Sequence, residues 1–151
     1  MNDLAVLAAV VTLGLGLRSW PGPELGLDPA WVPEELGSEL AARGIEGPIF
    51  HDYDVGGYAG WISGGRVRVV VDGRTPLVFT AEHAWAARLA LADPAVFDRL
   101  DAGAGFVAAV VFRDALLCAA LDGRPDWSPA FHDGRRALFV RRRGDPPSGG
   151  Q

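Results

Sequence analysis

The sequence predicts an α/β domain: three layers, a mainly parallel sheet, a C-terminal β-hairpin, and an apolar N-terminal helix ahead of them. Three observations carry that prediction. Strand-like apolar runs alternate with helical segments from residue 33 onward, the order that builds parallel β-α-β units. "FVAAVVF" (106–112) is apolar without interruption, as parallel strands buried on both faces tend to be. "WSPAFHD" and "RALFVRR" flank Gly134 as the two arms of a hairpin.

Taking the elements in order, Pro33 opens the first helix in the favoured first-turn position, with Glu34 and Glu35 near its positive end. Leu36, Leu40 and Ala41 supply its apolar face, and Gly44 stops it. "GPIFH" is a short strand at 47–51. "GGYAGWIS" makes about two helical turns despite the cost of glycine there. "RVRVVV" (66–71), dense in β-branched residues, is the strongest strand in the chain. Thr80 caps "AEHAWAARLALA", whose Ala84, Leu89 and Leu91 suit a packed, alanine-rich surface. A helical turn or two, "PAVFDRLDAG", follows Asp93, and "DALLCAALDG" is a helix, with Asp114 as cap and Gly123 as stop. The tail "GDPPSGGQ" has a disordered composition. The domain limits are therefore 1–20 for the apolar helix, 21–143 for the α/β domain and 144–151 for the tail.

A chain of 151 residues, 49% hydrophobic, is long enough for one domain with a real core. Its net charge of -5 argues against a nucleic-acid partner. All 14 basic residues are arginine, a bias we attribute to a GC-rich bacterial genome. Cys118, the one cysteine, sits in an apolar run as a small hydrophobe, which rules out an internal disulfide or a cysteine zinc site.

The run "LAVLAAVVTLGLGL", from Leu4 to Leu17, is apolar on every face. As a helix it is ~21 Å long, against ~30 Å of hydrocarbon core. Asp3 and the lack of a clear A-x-A site fit a signal peptide poorly. It is either the end of a membrane helix or a helix buried in the core. The connector at 18–35 is broken by proline and glycine, with Trp20 and Trp31 as interface anchors or packing residues.

Two polar, glycine-rich endings then stand out: "HDYDVGGYAGW" (51–61) and "VVVDGR" (69–74). If their strands are adjacent and parallel, both endings emerge on one edge of the sheet. Asp52, Tyr53 and Asp54 would then lie beside Asp72, Gly73 and Arg74, with Gly56 and Gly57 allowing close backbone approach. Acids, a tyrosine and an arginine suit a polyhydroxyl ligand, or a carboxylate gripped by Arg74 in a bidentate fork. The plainer alternative is a pair of turns in which Arg74 only pairs with nearby aspartates. No phosphate fingerprint, G-x-S-x-G or H-E-x-x-H occurs. His51, His83 and His132 fall on separate elements with no ligand spacing, so we expect structural roles, no metal and no cofactor. "RRR" at 141–143 reads as a solvated strand end, with a lipid-headgroup patch as its alternative.

Across residues 30 to 143, this order of elements resembles the soluble C-terminal domain of bacterial multi-pass membrane proteins that are glycosyltransferase-like or uncharacterised. Those show an Asn, then Gly-Gly-Tyr, then a Phe-Ile-Asp-Gly-Arg element. Gly56, Gly57, Tyr58, Asp72, Gly73 and Arg74 match that pattern; His51 stands in place of the Asn. More distantly, the region is similar to the post-membrane domain of oligosaccharyltransferase catalytic subunits. Asp54 and Gly56 fit their Trp-Trp-Asp-Tyr-Gly motif, whose paired tryptophans are missing here.

In the type-C glycosyltransferase superfamily the catalytic acids belong to the membrane portion. The resemblance therefore implies a membrane-associated, extracytoplasmic domain that assists glycan or acceptor binding without a complete active site. It implies ligand-binding roles for Asp52, Tyr53, Asp54, Gly56, Gly57, Tyr58, Asp72 and Arg74. The membrane is the expected partner, reached through Leu4 to Leu17 or an upstream membrane portion. A structural or assembly domain, and a small independent Rossmann-like ligand binder, are the alternatives.

Overall fold

The computed structural model describes residues 34–74 and 77–142. The expectations for the apolar run at 4–17, the connector, Pro33 and the tail lie outside the described residues. Within them the fold is mixed α/β. Its elements are α1 (Glu34–Ala42), β1 (Gly47–His51), α2 (Tyr53–Ile62), β2 (Val67–Val69), α3 (Ala81–Ala90), α4 (Pro94–Ala104), β3 (Ala108–Phe112), α5 (Leu116–Asp122), β4 (Trp127–His132) and β5 (Arg136–Arg141).

The five strands form one sheet in the order β2-β1-β3-β5-β4. β1 pairs in parallel with β2, Gly47 opposite Val67, and with β3, Ile49 opposite Ala108. β5 runs antiparallel to β3, and β4 to β5. Half of the pairings are thus antiparallel, so the sheet is mixed where a mainly parallel one was expected. The hairpin accounts for one of the two: β4 and β5 are joined by a tight turn, and that forces antiparallel pairing.

Strand pleating divides the core in two. Phe50, Ala109, Val111, Ala137 and Phe139 point to one face, where α3, α4 and α5 cover them with Ala87, Ala90, Val96, Phe97, Leu117 and Leu121. Ile49, Ala108, Val110 and Leu138 point to the other, under Leu36 and Leu40 of α1 and Val55 and Ala59 of α2. Phe97 anchors the first face, edge-on to Phe50 at 5.1 Å and to Trp127 at 5.8 Å.

Helix ends follow local chemistry. After α1, Gly44 takes a left-handed conformation (φ 58). Its N–H reaches Ala41 O, the Ile45 N–H reaches Leu40 O, and the Ile45 and Leu40 side chains share one cluster, a Schellman closure. Thr80 and Asp93 cap α3 and α4 through side-chain oxygens.

Four local expectations need correction. Ala41 is exposed, and the side chains that α1 buries are those of Leu36 and Leu40, with Gly37 packed beside them. Leu89 also faces outward, because α3 turns Ala87 and Ala90 to the core instead. Asp114 is not the cap of α5; Ala115 holds that position with no side-chain bond. The Leu117 N–H donates to Leu91 O at the end of α3, so a tertiary bond satisfies a donor that a cap would otherwise serve. Finally, β2 ends at Val69, although the apolar run continues to Val71. The Val70 N–H donates to His51 Nε2 (3.0 Å) and its C=O meets His83 Nε2 (2.9 Å), so neither group is left for a ladder.

Two adjacent glycines in α2 should respond oppositely to the same change. A Cβ on Gly56 would stand 2.1 Å from Val71 O and 2.5 Å from His51 Cε1, whereas one on Gly57 meets nothing within 4 Å. Gly56→Ala is expected to destabilise by about 1–3 kcal/mol or more. Gly57→Ala should stabilise by up to about 1 kcal/mol, since alanine is the better helix former. Chemical denaturation of the two variants checks both signs.

Candidate functional site

Because β1 and β2 are parallel, their polar endings emerge on one edge of the sheet. β5 begins on that same edge, with Arg136 opposite Phe112 at the end of β3. The hairpin thereby brings a third group to the place where the two endings meet.

Asp52 is the centre of this edge. One carboxylate oxygen accepts the Asp54 N–H (3.1 Å) and caps α2; the other accepts Arg136 Nε (3.0 Å). Both side chains of this ion pair are only 2% exposed. The guanidinium also lies over the Phe112 ring, 5.1 Å from its centroid. Beside the pair, the His51 imidazole is saturated. Its Nε2 accepts from Val70, so the proton is on Nδ1, which donates to Asp52 O at 2.7 Å. Burial lowers the His51 pKa below its ordinary 6.5, against the smaller opposing pull of that backbone bond and of Asp52 and Asp72.

Asp72 and Arg74 form a second pair. Arg74 Nε lies within 3.0 Å of both Asp72 oxygens, and Nη2 reaches Oδ2 at 2.6 Å. The Asp72 side chain is 6% exposed and that of Arg74 61%. The bonds from Arg74 are the main reason that Asp72 titrates below its ordinary 3.8.

The eight residues singled out in the sequence therefore separate into four places. Asp52, Tyr53 and Asp54 border a cavity of about 410 Å³ between the start of α2 and α3. Gly57, Asp72 and Arg74 line a groove of about 680 Å³ between α2 and β2, together with Gly73, Arg68 and Trp61. Gly56 is buried between them against Val71 and His51, a packing position. Tyr58 turns toward α1, its hydroxyl over Gly37, and reaches neither.

Sequence reasoning missed Arg136 altogether, since it lies 84 residues from Asp52 on another hairpin arm. It also missed the joint role of His51 and His83, which take the N–H and the C=O of Val70. The run at 141–143 is partly structural: Arg141 bonds Phe106 O and Asp101, and Arg142 Nε donates to Ser128 Oγ. Among the described residues, no cluster of three His, Cys, Asp or Glu side chains is placed to hold a metal ion. No helix among them is long and apolar enough to cross a membrane.

Two outcomes follow from this geometry. Asp52→Asn keeps a good cap but removes the charge that faces Arg136. It should cost on the order of 3–5 kcal/mol, because an uncompensated buried cation is left behind; thermal or urea unfolding measures it. The second concerns acid. His51 has a lowered folded pKa, so the unfolded chain takes up its proton first and stability falls as pH drops below 6.5. Asp72 adds a further loss only below 3.8. Urea midpoints between about pH 7 and about pH 5 should decline in the parent and stay level in His51→Gln, whatever that variant's absolute stability.

No protein-family model, curated protein or solved structure matches the chain, so a functional reading rests on this geometry and on the sequence.

Proposed function

We propose that the chain is a glycan- or acceptor-binding domain attached to a membrane glycosyltransferase-like protein, on the extracytoplasmic side, and that the groove between α2 and β2 is its binding surface. The observation that carries this reading is Trp61. The residue is 70% exposed and lines the groove, so its indole face is open to a ligand. It stands beside a strip of chain bare of side chains: a Cβ on Gly57, Gly65 or Gly73 would meet nothing within 4 Å. A pyranose ring can lay its C–H face on the indole there, because the neighbouring glycines leave room for it.

The polar end of the groove suits hydroxyl groups. Asp72 is held in place by Arg74, and the guanidinium, largely exposed, keeps N–H donors for a ligand. Arg74 thus serves both readings of the motif: it orders Asp72 and also presents donors at the surface. The membrane attachment is supported by the apolar run from Leu4 to Leu17 and by the resemblance of residues 30 to 143. An in-frame series of membrane helices encoded upstream supports that part; an unrelated upstream gene overturns it.

The groove is tested by a glycan-binding screen with Trp61→Ala and Arg74→Ala as controls. Trp61→Ala should abolish the binding seen for the parent while leaving the melting temperature unchanged, since the indole is exposed. Arg74→Ala should weaken binding and also lower the melting temperature, since it takes the Arg74 bonds from the nearly buried Asp72 carboxylate. Binding that survives Trp61→Ala, or a parent that binds no glycan, overturns the proposal.

A further inference from the structure

We propose that the cavity between the start of α2 and α3 is a separate binding site for a small zwitterion with an apolar body, the class of the apolar α-amino acids. It shares no lining residue with the Trp61 groove and does not depend on the glycan reading. The cavity opens at the C-terminal ends of β1 and β3. The chain leaves β1 for α2 on one face of the sheet and leaves β3 for α5 on the other. A crevice at such a reversal is where open α/β sheets place their ligands. Its volume of about 410 Å³ falls in the range of small-molecule sites, roughly 300–1,000 Å³.

The chemistry of the ligand follows from what the floor and the mouth offer. The buried floor is His51, Asp52, Val71 and Ala87. Its polar atoms are already engaged: both His51 nitrogens, and both Asp52 carboxylate oxygens. Two N–H groups in the first turn of α2 are engaged too, Asp54 N with the Asp52 side chain and Val55 N with Asp52 O. A phosphate would find no free helix-end donors at those positions, so the helix terminus does not make an anion site. With Ala84, Leu91 and Phe112 completing the walls, the inner end accepts an apolar group.

The mouth is different. Asp54 and Arg88 both line the cavity, both are exposed, and neither forms an ion pair among the described residues. Tyr53 and Trp85, 48% and 66% exposed, flank them with an apolar body and a polar tip each. A ligand with a single charge meets a like charge at this mouth as well as an opposite one. A ligand carrying both an ammonium and a carboxylate answers Asp54 and Arg88 together, with the carboxylate in the arginine fork.

Titration of the full chain with L-phenylalanine, phenethylamine and 3-phenylpropionate, followed by NMR, tests this. L-Phenylalanine should shift the Ala84 and Ala87 signals saturably. Each analogue, lacking one charge, should bind at least about tenfold more weakly, the loss of one charge-assisted contact. Arg88→Gln should bring L-phenylalanine down to the level of phenethylamine without changing the melting temperature, and Ala84→Leu should fill the cavity and abolish binding of all three. Trp61→Ala should leave this binding intact, so a failed glycan screen says nothing against it. The proposal is overturned if L-phenylalanine causes no saturable shift, or if either analogue binds as tightly.

Discussion

The C-terminal edge of the sheet depends on one buried ion pair, Asp52 with Arg136. Burying two charges is expensive, and the local structure offsets it by giving Asp52 a second donor from α2 and Arg136 an aromatic face to lie on. The pair also acts across the sheet. β3 lies between β1 and β5, so the contact ties the start of α2 to the C-terminal hairpin past an intervening strand. Such a pair is a constraint more than a reserve of stability: it penalises any arrangement in which the hairpin is not docked, because either partner alone is a buried, unpaired charge.

Around that pair, the backbone of Val70 organises the neighbouring strand. Two histidines from different elements take its N–H and its C=O, which ends β2 early and turns the chain toward Asp72. Gly56 lets α2 approach this turn until its backbone meets Val71 O and the His51 ring. That close contact divides the edge in two. On one side lies the cavity with its saturated floor, and on the other the open groove with Trp61 and the Asp72–Arg74 pair. The same polar-glycine endings thus do two jobs, packing through Gly56 and exposure through Gly57 and Gly73.

Local chemistry explains which parts were legible beforehand. β1, the hairpin, the cap Thr80 and the stop at Gly44 each depend on a few neighbouring residues, and all were read from pattern and propensity. The parallel contact of β1 with β2 followed from their similar endings and is present. Two of the misreadings share a cause. Asp114 was assigned a cap that α5 does not need once Leu91 O is near, and β2 was extended through residues whose backbone groups two histidines claim.

By itself, then, the sequence determined the α/β class, the order of the elements and the presence of acids, glycines and an arginine at two strand ends. These are properties of short windows, set by side-chain periodicity and backbone preference. Only the tertiary structure decided that Asp52 belongs to Arg136, that His51 and His83 both bond the backbone of Val70, and that Tyr58 faces α1 while Gly57 faces the groove. The physical reason is distance along the chain. Residues 84 positions apart meet only after the sheet is ordered, and an arginine in a hairpin strand carries no local mark of the aspartate it will neutralise.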